Sequence, residues 1–227
     1  RVSDTDVILL ATKPQNFDAL GAQLKGHISE RTVVLSILAG TKLGTLCDTL
    51  GHNRVVRSMP NTPAAVKQGI TIWIGSDSLT PGDRDLASMV LRAFGEEVMV
   101  NEERFLDVAT AVSGSGPAYV LLLMESMIDS AVHMGFPRDV ATKIVLQTVR
   151  GTSIYAGSQV QQLGRASSAT PTSLRANITS PGGTTASALY ELKKGGFETT
   201  VSNGLWAAYR RSVELGGGDA NRRDLRP

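Results

Sequence analysis

Segment 179–185, with the sequence Thr-Ser-Pro-Gly-Gly-Thr-Thr, has residue types suited to binding a small anion. It stands directly before a stretch with helical periodicity, and its small residues leave backbone N–H groups uncovered at the helix start. Such an N-terminus favours a carboxylate, and the hydroxyls of Thr184 and Thr185 can cap the helix or donate to a ligand. A capped helix start without any ligand is the alternative interpretation.

Three further segments follow predicted strands, where the ligands of open α/β sheets bind. Residues 11–14 (Ala-Thr-Lys-Pro) place a lysine at this crevice, and residues 38–40 (Leu-Ala-Gly) would let a flat cofactor approach the backbone. Segment 59–65 has two prolines, which predict a rigid loop that presents Asn61 and Thr62. The alternatives are a simple strand-to-helix turn and a stiff loop without a ligand.

Other catalytic arrangements are missing from the sequence. Cys47 is the only cysteine, which excludes an internal disulfide and a cysteine-rich zinc site. His27, His52 and His133 begin no metal-ligand spacing, so we expect no metal. No serine-histidine-aspartate pattern or paired carboxylates stand out. An anion site, a hydroxyl donor and a cofactor crevice together suit hydride transfer, where the cofactor supplies the difficult chemistry.

The glycine-rich fingerprint of dinucleotide-binding folds, G-x-G-x-x-G after the first strand, is absent. The nearest string, 114–119, follows no predicted strand and predicts a tight bend from which a helix starts close to a neighbour. The sequence starts with Arg1 rather than Met, and a strand pattern begins by Asp6. We therefore expect the chain to lack the N-terminal part of a nucleotide-binding fold.

The first hundred residues alternate short apolar runs with amphipathic stretches. The predicted strands cover 6–11, 32–37, 54–58, 70–74 and 97–100, and the predicted helices cover 15–25, 41–50 and 86–94. The run 6–11 is apolar after Asp6, as in a strand buried on both faces. This alternation predicts βαβ units and a largely parallel sheet.

After about Val100 the strand patterns end and long helical patterns follow. The predicted helices cover 116–135, 137–156, 184–194 and 199–215, and 158–173 is expected to be a loop or a partly ordered link. The predicted architecture is an α/β Rossmann-like parallel sheet, incomplete at the N-terminus, followed by an all-α domain. The expected domains are 1–101 and 102–218, with 219–227 as a disordered tail.

Charge and composition exclude several classes of protein. The chain has 23 basic and 21 acidic residues, a net charge of +2, which is too balanced to indicate a nucleic acid or a membrane surface as partner. The longest uncharged run, 108–124, is interrupted by Ser-Gly-Ser-Gly-Pro, so we expect no membrane span.

Four segments in this order resemble the pyrroline-5-carboxylate reductase family. They are 11–14, 59–63, 113–119 and 179–185, and the resemblance extends from about Asp6 to Leu215. It implies the reduction of Δ1-pyrroline-5-carboxylate to proline with NADPH or NADH. It also implies a homodimer formed through the helical domain, with dimers that can assemble into larger rings, and a cytoplasmic location as in bacterial proline synthesis.

The resemblance assigns roles to individual residues. Thr185 matches the threonine near the substrate ring nitrogen and is the candidate catalytic residue. The substrate carboxylate would be held by Ser180, Gly182, Gly183, Thr184 and Thr185. The cofactor contacts would be Ala11, Thr12, Lys13, Pro14, Ile37, Leu38, Ala39, Asn61, Glu103 and Asn177.

The sequence departs from the family pattern in two places. Relatives carry roughly 60–70 more N-terminal residues, a length that suits two further strand-helix units with the glycine loop. Segment 158–173 is longer than in relatives and has Ala169-Thr-Pro-Thr-Ser-Leu where they often have His-Pro before the final leucine.

Two alternative functions remain open at this point. One is a β-hydroxyacid dehydrogenase. Enzymes of that family resemble one another in using a lysine on the first long helix of the second domain, but the corresponding segment here, 116–135, contains no lysine. Lys143 lies on the next helix, without the usual asparagine four residues later. The other alternative is an inactive fragment or scaffold that keeps the helical interface but binds no cofactor.

Overall fold

The computed structural model describes residues 4–161 and 169–219. A five-stranded sheet in the order β1-β2-β3-β4-β5 dominates the first half of the chain. Its strands are β1 (Val7–Leu10), β2 (Val33–Ser36), β3 (Val55–Met59), β4 (Gly69–Gly75) and β5 (Gly95–Met99). All five lie within or next to the predicted strands.

Nine α-helices accompany the sheet within the described residues. Those interspersed with the strands are α1 (Phe17–Leu24), α2 (Leu43–Leu50) and α3 (Pro81–Arg92). The later ones are α4 (Arg104–Ala109), α5 (Gly116–His133), α6 (Arg138–Gln161), α7 (Pro171–Asn177), α8 (Thr184–Lys194) and α9 (Phe197–Leu215). The α/β class with a helical C-terminal part is confirmed.

The sheet is largely parallel, as predicted, with one exception. β1, β2 and β3 pair in parallel and so do β4 and β5, but β4 runs antiparallel to β3. The connection 60–68 is too short for a parallel crossover, which needs about a dozen residues or more. The chain therefore turns back at this loop, and α3 then provides the crossover from β4 to β5.

Two apolar layers hold the sheet between its helices. On one face α1 and α2 pack over a buried cluster of Leu10, Phe17, Val34, Leu38, Leu46, Leu50 and Val55. On the other face α3 packs over Val33, Leu35, Val56, Trp73, Leu79, Ala87 and Leu91. Alternate residues of β2 and β3 serve the two clusters, which explains the consecutive apolar residues at 33–35 in β2 and 55–56 in β3.

β1 is less buried than the sequence predicted. Leu10 is buried, but Leu9 is 45% exposed. The expectation of a strand buried on both faces is therefore wrong for this residue. Within the described residues β1 pairs only with β2 and lies at an edge of the sheet. No described strand pairs with its other edge.

Several helix predictions need correction. α3 begins at Pro81, before the predicted start at Leu86, because Thr80 and Asp83 form a capping box around the proline. A second capping box, Thr170 with Ser173, begins α7 inside the segment predicted as a loop. The same segment is wrong at its other end, where α6 continues to Gln161. Residues 162–168, within that segment, lie outside the described part of the chain.

The described residues form two compact units. The first contains the described residues up to Pro117 and those from Asn203 onward, and the second contains those within Ala118–Ser202. This division does not test the domain boundary expected at 101/102, which stays a prediction. The expected tail 219–227 lies outside the described residues except for Asp219.

Glu97 on β5 is the centre of a half-buried polar cluster in the first unit, in which the Arg92 side chain is exposed. Its carboxylate accepts hydrogen bonds from the Trp73 indole, from the Ser88 hydroxyl at 2.8 Å and from the Arg92 guanidinium. Burial alone raises the pKa of Glu97, but these hydrogen bonds outweigh it and the pKa lies below its ordinary value. The charged form therefore stabilises the fold.

We expect Glu97→Gln to lower the free energy of unfolding at pH 7 by about 1–3 kcal/mol, because charge-assisted hydrogen bonds are lost. The folded-state pKa of Glu97 is depressed, so its contribution is complete above the unfolded pKa of about 4.3. It disappears as the pH falls through the lower folded pKa. Urea denaturation of both proteins across this pH range checks the prediction, and a stability difference that is constant with pH would contradict it.

Candidate functional site

The predicted anion-binding segment lies directly before α8, in the second unit. Gly182 has a φ of +69°, a left-handed conformation that favours glycine, and the Gly183 N–H donates to the Ser180 carbonyl at 3.1 Å. Gly183 is the N-cap of α8, and no described side chain caps the helix there. The first N–H groups of α8 have no helical partner, so they are available to an anion.

Thr185 occupies the second position of α8 and is half-buried. Several helical threonines of this chain donate to the carbonyl four residues earlier, as Thr142 and Thr148 do. The corresponding residue for Thr185 is Pro181, which precedes the helix. The Thr185 hydroxyl is therefore placed at the same helix end as the free amides, as the sequence predicted, whereas Asn177 is exposed at the end of α7.

The predicted cofactor segments 11–14 and 37–39 follow β1 and β2. These two strands are neighbours and parallel, so both segments lie at the same edge of the sheet. Lys13 and Pro14 are exposed, and the Lys13 carbonyl accepts the Asn16 N–H at 2.9 Å in a short 3₁₀ turn. The first segment therefore presents its backbone and an exposed cation at the crevice.

In the turn after β2, residues 37–42, the first backbone N–H groups donate to acceptors outside the turn. The Ile37 N–H donates to the Leu10 carbonyl of β1 at 3.1 Å, and the Leu38 N–H donates to the Ser36 hydroxyl at 3.2 Å. The Leu38 side chain is buried in the core while Ala39 is exposed. Any cofactor contact of Leu38 would therefore be made by its backbone.

Asn61 closes the loop between β3 and β4. Its side-chain oxygen accepts the Ile70 N–H at 3.0 Å, across a short 3₁₀ helix, Thr62–Val66. The amide nitrogen of Asn61 is then the atom that can donate to a ligand. The loop that contains the two prolines thus places the Asn61 amide at the end of β3, as a further polar group beside segments 11–14 and 37–39.

Glu103, predicted as a cofactor contact, lies beside a buried arginine that sequence analysis did not single out. Its Oε1 accepts the Leu43 N–H at 2.6 Å and a hydrogen bond from the Arg57 guanidinium at 2.7 Å. Arg57 is on β3, and its side chain is only 6% exposed. The signal for it was an arginine within the predicted strand 54–58, next to the apolar pair Val55 and Val56.

The predicted bend before α5 is a π-helical turn. It covers Thr110–Gly114, and the Ser115 N–H donates to the Thr110 carbonyl at 2.8 Å. A side chain at Gly114 would come within 2.8 Å of the Met59 methyl carbon. The glycine therefore leaves room for the Met59 side chain at the end of β3, and this flexible side chain would have to shift to accommodate a larger residue.

The described side chains suggest no covalent or metal chemistry. Burial raises the pKa of the Cys47 thiol, which makes it a poor nucleophile at neutral pH. No group of three or more potential metal ligands is found within residues 4–161 and 169–219. The expectation of no metal stays a prediction.

The predicted site residues divide between the two units. Segments 11–14 and 37–39 belong to the first unit together with Asn61 and Glu103, and segment 180–185 belongs to the second with Asn177. Within each unit the residues occupy the strand ends or the helix start that the sequence indicated. Their individual roles toward a cofactor or substrate stay predictions.

Comparison with known proteins gives a consistent result. The family model described as pyrroline-5-carboxylate reductase dimerisation matches residues 103–215. A pyrroline-5-carboxylate reductase of Glycine max is 38% identical over 214 residues, covering 94% of this chain and 75% of the relative. One of Synechocystis is 40% identical over 212 residues, with 93% and 76% covered.

Solved structures are similar along nearly the same span. The pyrroline carboxylate reductase of Plasmodium falciparum, which has NADP bound, matches with a TM-score of 0.83 and 33% identity, covering 95% of this chain and 79% of that one. The pyrroline-5-carboxylate reductase of Coxiella burnetii matches with a TM-score of 0.84 and 32% identity, covering 94% and 77%.

We expect Asn61→Ala to lower the free energy of unfolding by about 1 kcal/mol, because the Ile70 N–H loses its acceptor. Asn61→Asp keeps an acceptor oxygen at this position and should retain most of the stability. Urea denaturation of the three proteins measures the difference. Equal losses in both variants would show that the Asn61–Ile70 hydrogen bond does not hold the loop.

Proposed function

This chain belongs to the pyrroline-5-carboxylate reductase family of oxidoreductases, and we propose which of its residues carry out the family's reaction. That reaction is the NAD(P)H-dependent reduction of Δ1-pyrroline-5-carboxylate to L-proline, the last step of proline biosynthesis. The observation that carries the proposal is the uncapped N-terminus of α8 with Thr185 in its first turn.

The turns after β1 and β2 suit a dinucleotide. Ala39 is exposed and carries only a methyl group, and the Leu38 side chain is turned into the core, so a flat group can lie against the backbone there. We assign the dinucleotide to segments 11–14 and 37–39, with Asn61 donating from its amide nitrogen. NAD(P)H, when bound, supplies the hydride that the imine carbon accepts.

The start of α8 suits the substrate carboxylate. The helix N-terminus carries a partial charge of about +0.5, and its free amides can each donate to a carboxylate oxygen. Ser180 and Thr184 are exposed beside it and add hydroxyl donors. The segment would thus orient the ring by its carboxylate, which brings the imine into a defined position.

Thr185 would donate a hydrogen bond to the imine nitrogen, directly or through water. An imine carbon accepts hydride more readily when its nitrogen is protonated or hydrogen-bonded. As the carbon gains the hydride, the carbon-nitrogen double bond becomes single, and the electron pair left on the nitrogen takes a proton from the Thr185 hydroxyl or from the bridging water. A proton from solvent then restores the donor. A positioned donor of this kind typically contributes about 10²–10⁴-fold to the rate.

The function is tested by oxidation of NADPH by this chain with Δ1-pyrroline-5-carboxylate as substrate. We expect substrate-dependent turnover, and we expect Thr185→Ala to lower kcat by about 100-fold while the NADPH dissociation constant changes little. Thr185→Ser keeps the hydroxyl and serves as the matched control. Unchanged turnover in Thr185→Ala would remove Thr185 from the mechanism, and no turnover in the unmodified chain would favour the inactive-fragment alternative.

The dimerisation match coincides with an apolar surface on α5. This helix has no buried residue within the described chain, and Leu121 and Leu122 are 62% and 63% exposed. The helical stretch Arg104–His133 is even long and apolar enough, by length and composition alone, to cross a membrane. Either a membrane or a second copy of the chain could cover such an apolar surface. The match to the dimerisation family model favours a second copy.

We therefore expect the chain to sediment as a dimer or a multiple of it, and Leu122→Glu to shift it toward the monomer because a charge is placed in the interface. Met89→Glu is the matched control, since Met89 is equally exposed on α3, in the first unit. Analytical ultracentrifugation measures both. A monomer at all concentrations, or a chain soluble only with detergent, would contradict the homodimer. The cytoplasmic location stays a prediction.

A further inference from the structure

Arg57 is a buried cation that reaches two carboxylates on one helix. Its guanidinium donates to Glu103 at 2.7 Å and lies 3.9 Å from the Asp107 carboxylate. Removing a guanidinium from water is costly, so it stays in the interior only when such partners hold it. Glu103 and Asp107 lie four residues apart at the start of α4 and face it together.

The same two carboxylates also accept hydrogen bonds from α2 and α9. Glu103 also accepts the Leu43 N–H, the first amide of α2, and Asp107 accepts the Ser212 hydroxyl of α9 at 2.7 Å. An amide at a helix start has no helical partner, so the carboxylate both satisfies it and sets where α2 begins. Turn 37–42 ends at that amide.

The turn is also fixed at its centre. Gly40 has a φ of +76°, and a side chain there would come within 3.2 Å of the Leu215 carbonyl oxygen at the end of α9. The turn is therefore enclosed between the Glu103 carboxylate at Leu43 and the last residues of α9 at Gly40. Ser212 ties the same helix back to Asp107, and through it to Arg57.

We propose that Arg57 is a positioning residue for dinucleotide binding, acting through Glu103 on turn 37–42. In this view Glu103 holds the turn rather than the dinucleotide, since its Oε1 is shared by Arg57 and Leu43. The inference rests on the proposed function, which assigns the dinucleotide to that turn. Arg57 is too buried to touch a ligand, so any effect of its replacement on binding must pass through the turn.

The test compares Arg57→Lys with the unmodified chain. Lysine keeps the charge but lacks the planar fork that reaches two carboxylates at once. We expect the dissociation constant for NADPH to rise about tenfold, or about 1.4 kcal/mol, while kcat at saturating NADPH and KM for Δ1-pyrroline-5-carboxylate stay nearly unchanged. Hydrogen exchange at residues 38–46, measured without ligand, should become faster.

Glu97→Gln is the matched control, because it also removes a carboxylate–arginine contact in the first unit but lies on β5. It should leave NADPH binding and exchange at 38–46 unchanged. Glu103→Gln is the second variant if Arg57→Lys does not fold. It should raise the dissociation constant in the same way and also speed hydrogen exchange at residues 38–46 measured without ligand. Weaker binding with unchanged exchange in the free protein would indicate a direct contact with the dinucleotide and overturn the positioning role.

The outcomes separate the two proposals. If the unmodified chain binds no NADPH, the proposed function fails and the positioning role falls with it. If it binds NADPH but Arg57→Lys binds equally well, or if the control weakens binding as much, only the positioning role is overturned. A loss in Glu103→Gln with none in Arg57→Lys would mean that Glu103 contacts the dinucleotide directly, which also overturns it.

Discussion

The buried guanidinium of Arg57 is the constraint on which the arrangement of the first unit depends. A cation with 6% of its side chain exposed must have anions within reach. Both anions come from the start of α4, so this helix has to begin beside the end of β3. Each carboxylate also accepts a second hydrogen bond. Glu103 accepts the Leu43 N–H of α2, and Asp107 accepts the Ser212 hydroxyl of α9, so both helices lie next to the start of α4. One buried charge thus relates three helices that are far apart in the chain.

The turns after β1 and β2 present mainly backbone groups to the crevice at the carboxyl ends of these strands. Parallel strands β1 and β2 end at the same edge, and after each of them the side chains are small, exposed or turned into the core. Backbone groups in such turns cannot move as side chains do, so their geometry is set by what packs behind them. The core cluster around Leu38 and the contact of Gly40 with Leu215 therefore bear directly on how a dinucleotide would be held.

Local patterns were sufficient to predict the strands, several helices and the segments of the candidate site. Hydrophobic periodicity located β1 to β5, and small residues before a helix located the start of α8 at Thr184. What the sequence could not show depends on contacts between distant residues. The pairing of Arg57 with Glu103 spans 46 positions, and no local pattern reports it. The starts of α3 and α7 are different, since each depends on a Thr-Pro capping box that is a local signal visible in the sequence, and hydrophobic periodicity alone does not detect it.

The charge of the candidate substrate site suits the reduction of an imine. Residues 180–185 contain no lysine or arginine, so the carboxylate would be held by amide dipoles and hydroxyls. A full cation beside the ring would repel a protonated imine nitrogen and disfavour the form that accepts hydride. The partial charge of a helix end, about +0.5 and confined to the first turn, binds the carboxylate with less of this cost. Thr185 then fits as an uncharged partner, because its hydroxyl can donate to a neutral imine nitrogen, or accept the N–H of a protonated one, without adding positive charge next to it.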